Sequence, residues 1–178
     1  VYDGYYNDFF LNSHPGDTVV IQGGINDSAA GRRYSDATDY EKYLRYLITS
    51  CQKFGLDVVI SSGTCSGTTY TEVMQKVAEE LGLPYIDLLS KFNSYKEEIT
   101  AEEQTDLTVD GTHLTRVGGV LAAQMVANEL EKLDGLSITG HMNAEEIHTG
   151  APDAQVTGLY AKAQTAGSVT LAWSIDED

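Results

Sequence analysis

Asp110 and His113 are the residues whose types and spacing point most directly to chemistry. They stand three positions apart in Asp110-Gly111-Thr112-His113, just ahead of a predicted helix. A turn at Gly111 can fold the carboxylate back onto the imidazole, which fixes the ring tautomer and leaves the other ring nitrogen free to take a proton. The pair therefore predicts a general base. The alternative is structural, with Asp110 as a loop residue and His113 as a hydrogen-bonded side chain at a helix start.

A second candidate group is Gly24-Ile25-Asn26-Asp27, which follows the first predicted strand. Ligands of open α/β sheets bind outside the carboxyl ends of the strands. An Asn side chain there can donate an N–H to an oxyanion, and Gly24 lets the chain leave the strand sharply and keeps space clear for a substrate. A simple turn also explains Asn26-Asp27 when the stretch is taken alone.

Weaker candidates lie elsewhere in the chain. His141 and His148 could bind a metal together with Asp153, but no second carboxylate is spaced to complete a site, and a solvated linker is favoured. Three serines lie at or after the end of the second predicted strand and could hydrogen-bond a substrate: Ser61, Ser62 and Ser66. Three tyrosines on the first long helix are more typical of packing than of a sugar platform: Tyr40, Tyr43 and Tyr46.

Strand and helix signals alternate from about residue 18 to 133, and this order predicts an α/β domain with a parallel sheet. The strand-like segments are 17–24, 56–63 and 84–89. The helix after the first strand should begin with a capping box of Thr38 and Glu41 and end before Gly55. Its apolar stripe includes Cys51, which predicts a buried free thiol, with a disulfide to Cys65 as the alternative.

Four more helices complete the pattern. One covers 5–16, one opens with Thr69 and Glu72 as a cap and ends before Gly82, and one lies in the polar segment 91–108 with Thr100 and Glu103 as a possible cap. The last helix runs from about Thr115 to Leu133. Its apolar face is expected to include Val117, Leu121, Val126 and Leu130.

The pattern changes after this helix. We expect residues 1–134 to form the α/β domain, 135–152 to be a linker, and 153–178 to begin a β-domain, because the closing segment alternates apolar and polar residues around Thr165-Ala166-Gly167. Two strands do not form a stable domain alone.

Composition limits the classes of function. The 178 residues carry a formal net charge of −16, which disfavours nucleic acid and anionic membranes as partners. No run of 18 apolar residues is present, so the sequence predicts no membrane span.

Taken together, the two candidate groups and the alternation around them resemble the SGNH hydrolases, the GDSL-type esterases and lipases. "TVVIQGGIND" resembles the third conserved block of that family and "DGTHLTRVGG" the fifth, and "DVVISSGT" with "PYIDLLSKF" is most similar to the rhamnogalacturonan acetylesterase branch. The resemblance covers residues 5–133. It implies a flavodoxin-like three-layer α/β/α fold with a parallel sheet.

The resemblance also implies roles for the candidate residues. Asn26 would be the oxyanion-hole amide, Gly24 the loop glycine beside it, His113 the general base and Asp110 its orienting partner. The family's serine stands in a Gly-Asp-Ser block after its first strand, and neither that block nor the glycine block that follows it is found in this sequence. Gly16-Asp17-Thr18 is a poor substitute, since it precedes a strand.

We therefore expect a fragment that lacks its N-terminal strands and the nucleophilic serine, and that is itself almost inactive. The parent protein is expected to be a secreted carbohydrate esterase that deacetylates a polysaccharide, without a metal or organic cofactor. The closing segment resembles the first two strands of a fibronectin type III domain.

Two other classes stay open. One is a non-catalytic carbohydrate-binding or scaffold module on the same fold. The other is a flavodoxin-like binder of a phosphorylated cofactor, which is weaker because no glycine-rich phosphate loop follows a predicted strand.

Overall fold

A computed structural model describes residues 5–28, 34–65, 67–142, 156–165 and 168–175. The chain divides into two compact units, Val1–Ile147 and His148–Asp178. The first unit contains the parallel sheet and its helices, and the second contains an antiparallel hairpin.

The sheet of the first unit consists, in the described residues, of β1 (Thr18–Gln22), β2 (Asp57–Ser61) and β3 (Tyr85–Ile86), in the order β1-β2-β3. Both pairings are parallel, as the alternation of strands and helices predicts. The carboxyl ends of the three strands therefore lie at one edge of the sheet, which we call the carboxyl edge, and their amino ends lie at the opposite amino edge.

Six α-helices are described, and their ends follow local capping chemistry. They are α1 (Tyr5–Leu11), α2 (Ala37–Phe54), α3 (Thr68–Leu81), α4 (Leu88–Glu98), α5 (Ala101–Thr105) and α6 (Arg116–Glu131). Gly55 and Gly82 end α2 and α3 in the left-handed conformation, as predicted. The capping box of Thr100 and Glu103 is also present, at the start of α5.

Two predicted caps are wrong. The N-cap of α2 is Asp36, whose side chain accepts a hydrogen bond from the Asp39 amide, while Glu41 pairs with Arg45 and Lys76 on the helix surface. The second wrong cap is that of α3, where Thr69 and Glu72 were expected. This helix begins after Gly67, which provides no side-chain cap. The error at α2 arises because an acidic residue three positions after a Thr also suits a surface ion pair.

Two hydrophobic clusters lie on the two faces of the sheet. One joins α2 and α3 to alternate strand residues such as Val58 and Ile60, and the other joins α4 and α6 to Val59 and Ile86. Because successive strand residues point to opposite faces, β2 contributes to both clusters and is buried on both sides. The result is the expected three-layer α/β/α arrangement.

One residue of the predicted apolar face of α6 is exposed. Leu121 and Leu130 are buried, whereas Val117 is 54% exposed. The first unit also continues past this helix, because Leu136, Ile138 and Met142 pack against the same cluster. Part of the segment expected to be a linker is therefore packed on the domain.

The second unit contains β4 (Val156–Thr165) and β5 (Ser168–Ile175), which pair antiparallel, as the alternation predicts. The likeness of this hairpin to a fibronectin type III domain stays a prediction.

Cys51 and Cys65 are free thiols, and Cys51 is buried as expected. Among the described helices, none has the length and apolar character needed to cross a membrane.

Candidate active site

His113 lies in a compact loop between α5 and α6. Thr108 and Leu114 form an isolated antiparallel bridge, and the Val109 amide donates to the His113 carbonyl at 2.8 Å. Gly111 turns the loop with φ +82°, a conformation that other residues rarely adopt. The loop thus brings the two ends of the Asp110-to-His113 segment together.

The carboxylate of Asp110 organises this turn. Its Oδ1 accepts hydrogen bonds from the backbone amides of Thr112 and His113, at 3.0 and 2.8 Å. Its Oδ2 lies 2.8 Å from Nδ1 of the His113 ring. The side-chain contact that the spacing predicts is therefore present, and the same carboxylate also holds the backbone.

These hydrogen bonds lower the pKa of Asp110 to about 2. The bond from the His113 amide contributes most, followed by the bond from the His113 ring and then the Thr112 amide. Asp110 is therefore ionised at neutral pH and can only accept hydrogen bonds. Nδ1 must then be the protonated nitrogen of the neutral ring, which leaves Nε2 as the base.

The start of α6 fixes the loop in place. Thr115 caps the helix by accepting a hydrogen bond from the Gly118 amide, and its own amide donates to the Leu107 carbonyl. A Cβ at Gly118 would lie 2.0 Å from that carbonyl oxygen. Only glycine permits this close approach of helix and loop, and its role was not foreseen from the sequence.

Asn26 lies in the second candidate group, at the carboxyl edge. The chain leaves β1 through Gly24, which has φ +90°, and then forms a short 3-10 helix over Asn26–Ser28. The Asp27 carboxylate accepts a hydrogen bond from the Gly24 amide at 3.2 Å and closes the turn. The Asn26 side chain is exposed, so it is accessible to a ligand.

Two tyrosines support this turn, and sequence reasoning missed the role of both. Tyr70 donates its hydroxyl hydrogen to the carbonyls of Ser35 and Asp27, at 2.7 and 3.2 Å. A Cβ at Gly24 would lie 2.7 Å from the Tyr70 Cβ. Tyr40 packs edge-to-face on Tyr70, with ring centroids 5.0 Å apart, and burial raises its pKa above the ordinary value.

The loop between β2 and α3, together with the first turn of α3, touches both candidate groups. At one end, Cys65 Sγ lies 3.6 Å from the Thr112 carbonyl, next to His113. At the other end, Tyr70 in the first turn of α3 contacts the carbonyl of Asp27. Asn26 and His113, 87 positions apart in the sequence, thus belong to loops that share a neighbour at the carboxyl edge.

Two of the weaker candidates are buried and cannot contact a substrate. Ser61 and Ser62 are fully buried, and the Ser62 hydroxyl accepts a hydrogen bond from the Leu89 amide at the start of α4. They are structural residues rather than substrate contacts. Ser66 lies outside the described residues, as do His148 and Asp153 of the proposed metal group.

The tyrosines of α2 divide into two kinds. Tyr40 is buried, as the packing interpretation requires. Tyr46 is 56% exposed but stacks on Tyr6 with ring centroids 6.0 Å apart, and Tyr43 is 50% exposed.

The fold is that of an SGNH-like hydrolase, with a parallel sheet between helices and an Asp–His pair in the loop before the last helix. No protein-family model matches the chain. Two curated relatives from Bacillus subtilis (strain 168) are esterases. The chain is 27% identical to the rhamnogalacturonan acetylesterase RhgT over 74% of its own length and 67% of that protein. It is also 27% identical to the uncharacterized esterase YxiM, over 72% of the chain and 39% of that protein.

A crystal structure agrees with these relatives. The YxiM protein from Bacillus subtilis superposes with a TM-score of 0.65 and 25% identity, over 73% of this chain and 41% of that one. The chain thus spans about two fifths of YxiM. The chain is thus similar, at low identity, to proteins named as esterases.

Proposed function

We propose that this chain carries the base and the oxyanion donor of a serine esterase site that removes acetyl groups from a polysaccharide. The hydrogen bond of 2.8 Å between Asp110 Oδ2 and His113 Nδ1 is the observation that carries the proposal, because it orients the ring and leaves Nε2 as a proton acceptor. The name of the relative RhgT supports acetylated rhamnogalacturonan as the substrate class.

The proposed reaction passes through an acyl-enzyme. A serine hydroxyl gives its proton to His113 Nε2 and attacks the ester carbonyl, while the Asn26 amide donates to the developing oxyanion. The imidazolium is stabilised by the ionised Asp110 and returns its proton to the sugar oxygen that leaves. Water, deprotonated by the same ring, then releases acetate.

The serine itself is proposed to come from outside these 178 residues. Ser61, the last residue of β2, and Ser62, directly after it, are buried and take part in internal hydrogen bonds. Since a polysaccharide substrate of this class lies outside cells, we also propose that the protein is secreted.

The test is acetate release from acetylated rhamnogalacturonan. It should be measured for the 178 residues alone and for the same residues with whatever sequence their gene encodes on either side. The expected result is release by the longer form and almost none by the 178 residues. In the longer form His113→Ala should lower kcat by about 100- to 10,000-fold, because it removes the general base.

Two outcomes would contradict the proposal. One is full activity of the His113→Ala variant, which would mean that the base lies elsewhere. The other is tight binding of the polysaccharide with no acetate released by either form, which would favour a non-catalytic carbohydrate-binding module on the same fold. Rapid turnover by the 178 residues alone would contradict only the proposed position of the serine, because it would locate the nucleophile within them.

A further inference from the structure

The His113 ring is accessible to solvent although the hydrogen bond to Asp110 fixes its tautomer. Its side chain is 79% exposed, although Nδ1 is held 2.8 Å from the Asp110 carboxylate. Because that carboxylate only accepts hydrogen bonds at neutral pH, the lone pair of the neutral ring is on Nε2. A neutral imidazole nitrogen with a free lone pair is a nucleophile as well as a base.

We infer that His113 is itself an acyl acceptor, and that through Nε2 this chain hydrolyses acyl donors with good leaving groups, namely aryl esters and thioesters. This activity goes beyond the proposed deacetylation, since it requires no serine. It also uses a different substrate class. When imidazole adds to an alkyl ester of a sugar, the imidazole is expelled again more readily than the alkoxide, so no acyl group is transferred.

The reaction has two balanced steps. The Nε2 lone pair forms a bond to the acyl carbon, and the carbon–oxygen or carbon–sulfur bond breaks, so that the phenolate or thiolate leaves with the electron pair. The acyl-imidazolium keeps its Nδ1 proton in the hydrogen bond to Asp110. Water then attacks the acyl carbon and gives one of its protons to solvent, and the carbon–nitrogen bond breaks with its electron pair returning to Nε2. The products are a carboxylic acid and the regenerated neutral ring.

Asp110 is the reason to expect this activity at His113 in particular. The carboxylate stabilises the positive charge that the ring gains when Nε2 bonds to carbon. His14 provides a natural comparison, because it is also exposed and also lies three residues from an aspartate. Its Nδ1 lies 3.8 Å from Asp17 Oδ2, beyond hydrogen-bond distance, and its side chain is 84% exposed.

The experiment uses p-nitrophenyl acetate and the 178-residue chain. Release of p-nitrophenolate is followed for the unchanged chain, for His113→Ala and for the matched control His14→Ala, after circular dichroism has shown that each variant is folded. In His113→Ala we expect the rate to fall to that of free imidazole at the same concentration. In His14→Ala the rate should stay unchanged. Asp110→Asn should lie between them.

A second measurement locates the acyl group. The reaction is quenched during turnover, and peptide mass spectrometry should find one acetyl group on His113. Cys65 is the rival nucleophile, because its thiol lies beside the same loop. Cys65→Ser should therefore keep both the rate and the adduct.

The inference is overturned if His113→Ala keeps the rate of the unchanged chain, if His14→Ala loses as much, or if the acetyl group is found on Cys65 or on a serine. These results leave the proposed deacetylation untouched, because that reaction is measured on the polysaccharide and depends on a serine. Conversely, failure of the polysaccharide assay does not alter the acetylation of His113.

Discussion

Two histidine–aspartate pairs lie near opposite edges of the same sheet, and only one of them holds its ring. At the carboxyl edge, His113 Nδ1 lies 2.8 Å from Asp110 Oδ2. Near the amino edge, His14 Nδ1 lies 3.8 Å from Asp17 Oδ2. Both pairs are separated by three residues and both are exposed, so neither spacing nor burial explains the difference.

The order of the residues explains it. When the aspartate comes first, Asp110 uses Oδ1 to bind two following amides and keeps Oδ2 for the ring. When the histidine comes first, the amide of His14 takes Oδ2 of Asp17, which is the oxygen nearest to its own ring. A carboxylate that caps the turn on one oxygen can therefore orient a base with the other.

The comparison of the two edges of the sheet predicts its largest effect at Asn26, which lies at the carboxyl edge. In the longer form that releases acetate, Asn26→Ala should lower kcat by about 100- to 1000-fold, because an oxyanion donor is lost. Asn12→Ala near the amino edge removes only a side-chain bond to the Asp8 carbonyl and should leave kcat unchanged. Equal effects of the two variants in steady-state kinetics would break the distinction between the edges.

Gly118→Ala tests the support of the His113 loop. The added methyl group meets the Leu107 carbonyl, so we expect a loss of about 1–3 kcal/mol in the free energy of unfolding. Urea denaturation measures this loss, and NMR signals of the His113 ring should shift while those of His14 do not.

Gly119→Ala is the matched control in the same helix, since nothing lies within 4 Å of a Cβ at that position. It should be neutral or stabilising by up to about 1 kcal/mol, because alanine favours the helix over glycine. A Gly118→Ala variant as stable as Gly119→Ala would contradict the close contact.

Tyr70→Phe has a smaller expected effect, confined to the Asn26 turn. The variant keeps the ring that packs on Tyr40 and loses the bonds to Ser35 and Asp27. We expect faster hydrogen exchange of the Ser35 amide, which donates to the Asp27 carbonyl at the same point. Tyr46→Phe on the exposed face of α2 is the control, and identical exchange in both variants would remove Tyr70 from the support of the turn.

The smallest expected effect is the pH dependence that Asp110 adds to stability. Its pKa in the folded protein is about 2, below the ordinary 3.8, so the ionised carboxylate stabilises the fold above about pH 4 and this contribution is lost as the pH falls towards 2. The stability difference between the unchanged chain and Asp110→Asn should therefore be constant above about pH 4 and shrink below it.

Urea denaturation at several pH values measures that difference. His113→Ala should retain part of it, because the two backbone amides still bind Asp110. A difference that persists unchanged down to pH 2 would show that Asp110 stabilises the fold without its charge.

Much of the first unit could be predicted because its signals are local. The period of apolar residues gave β1, β2, α2 and α6 to within a few residues, and Gly55 and Gly82 marked the ends of two helices. The predicted cap of α2 failed because its pattern suits two outcomes. Glu41 stands three residues after a threonine, yet its carboxylate is used by Arg45 and Lys76 from α2 and α3.

The supports of the candidate site could not be predicted in the same way. Tyr70 carries no motif, and it reaches the Asn26 turn only because α3 packs beside β1's carboxyl end. From the sequence, Gly118 is expected to be an ordinary helix residue that is mildly unfavourable. Only the structure shows that the Leu107 carbonyl lies against it.

The sequence by itself determined the alternation of strands and helices and the contact between Asp110 and His113, because both depend on residues within a few positions of each other. Tertiary structure alone decided that Ser61 and Ser62 are buried, that Tyr70 holds the Asn26 turn, and that Cys65 lies against the His113 loop. These outcomes depend on which surfaces meet when the layers pack, and residues 35 to 50 positions apart carry no local pattern that records their contact.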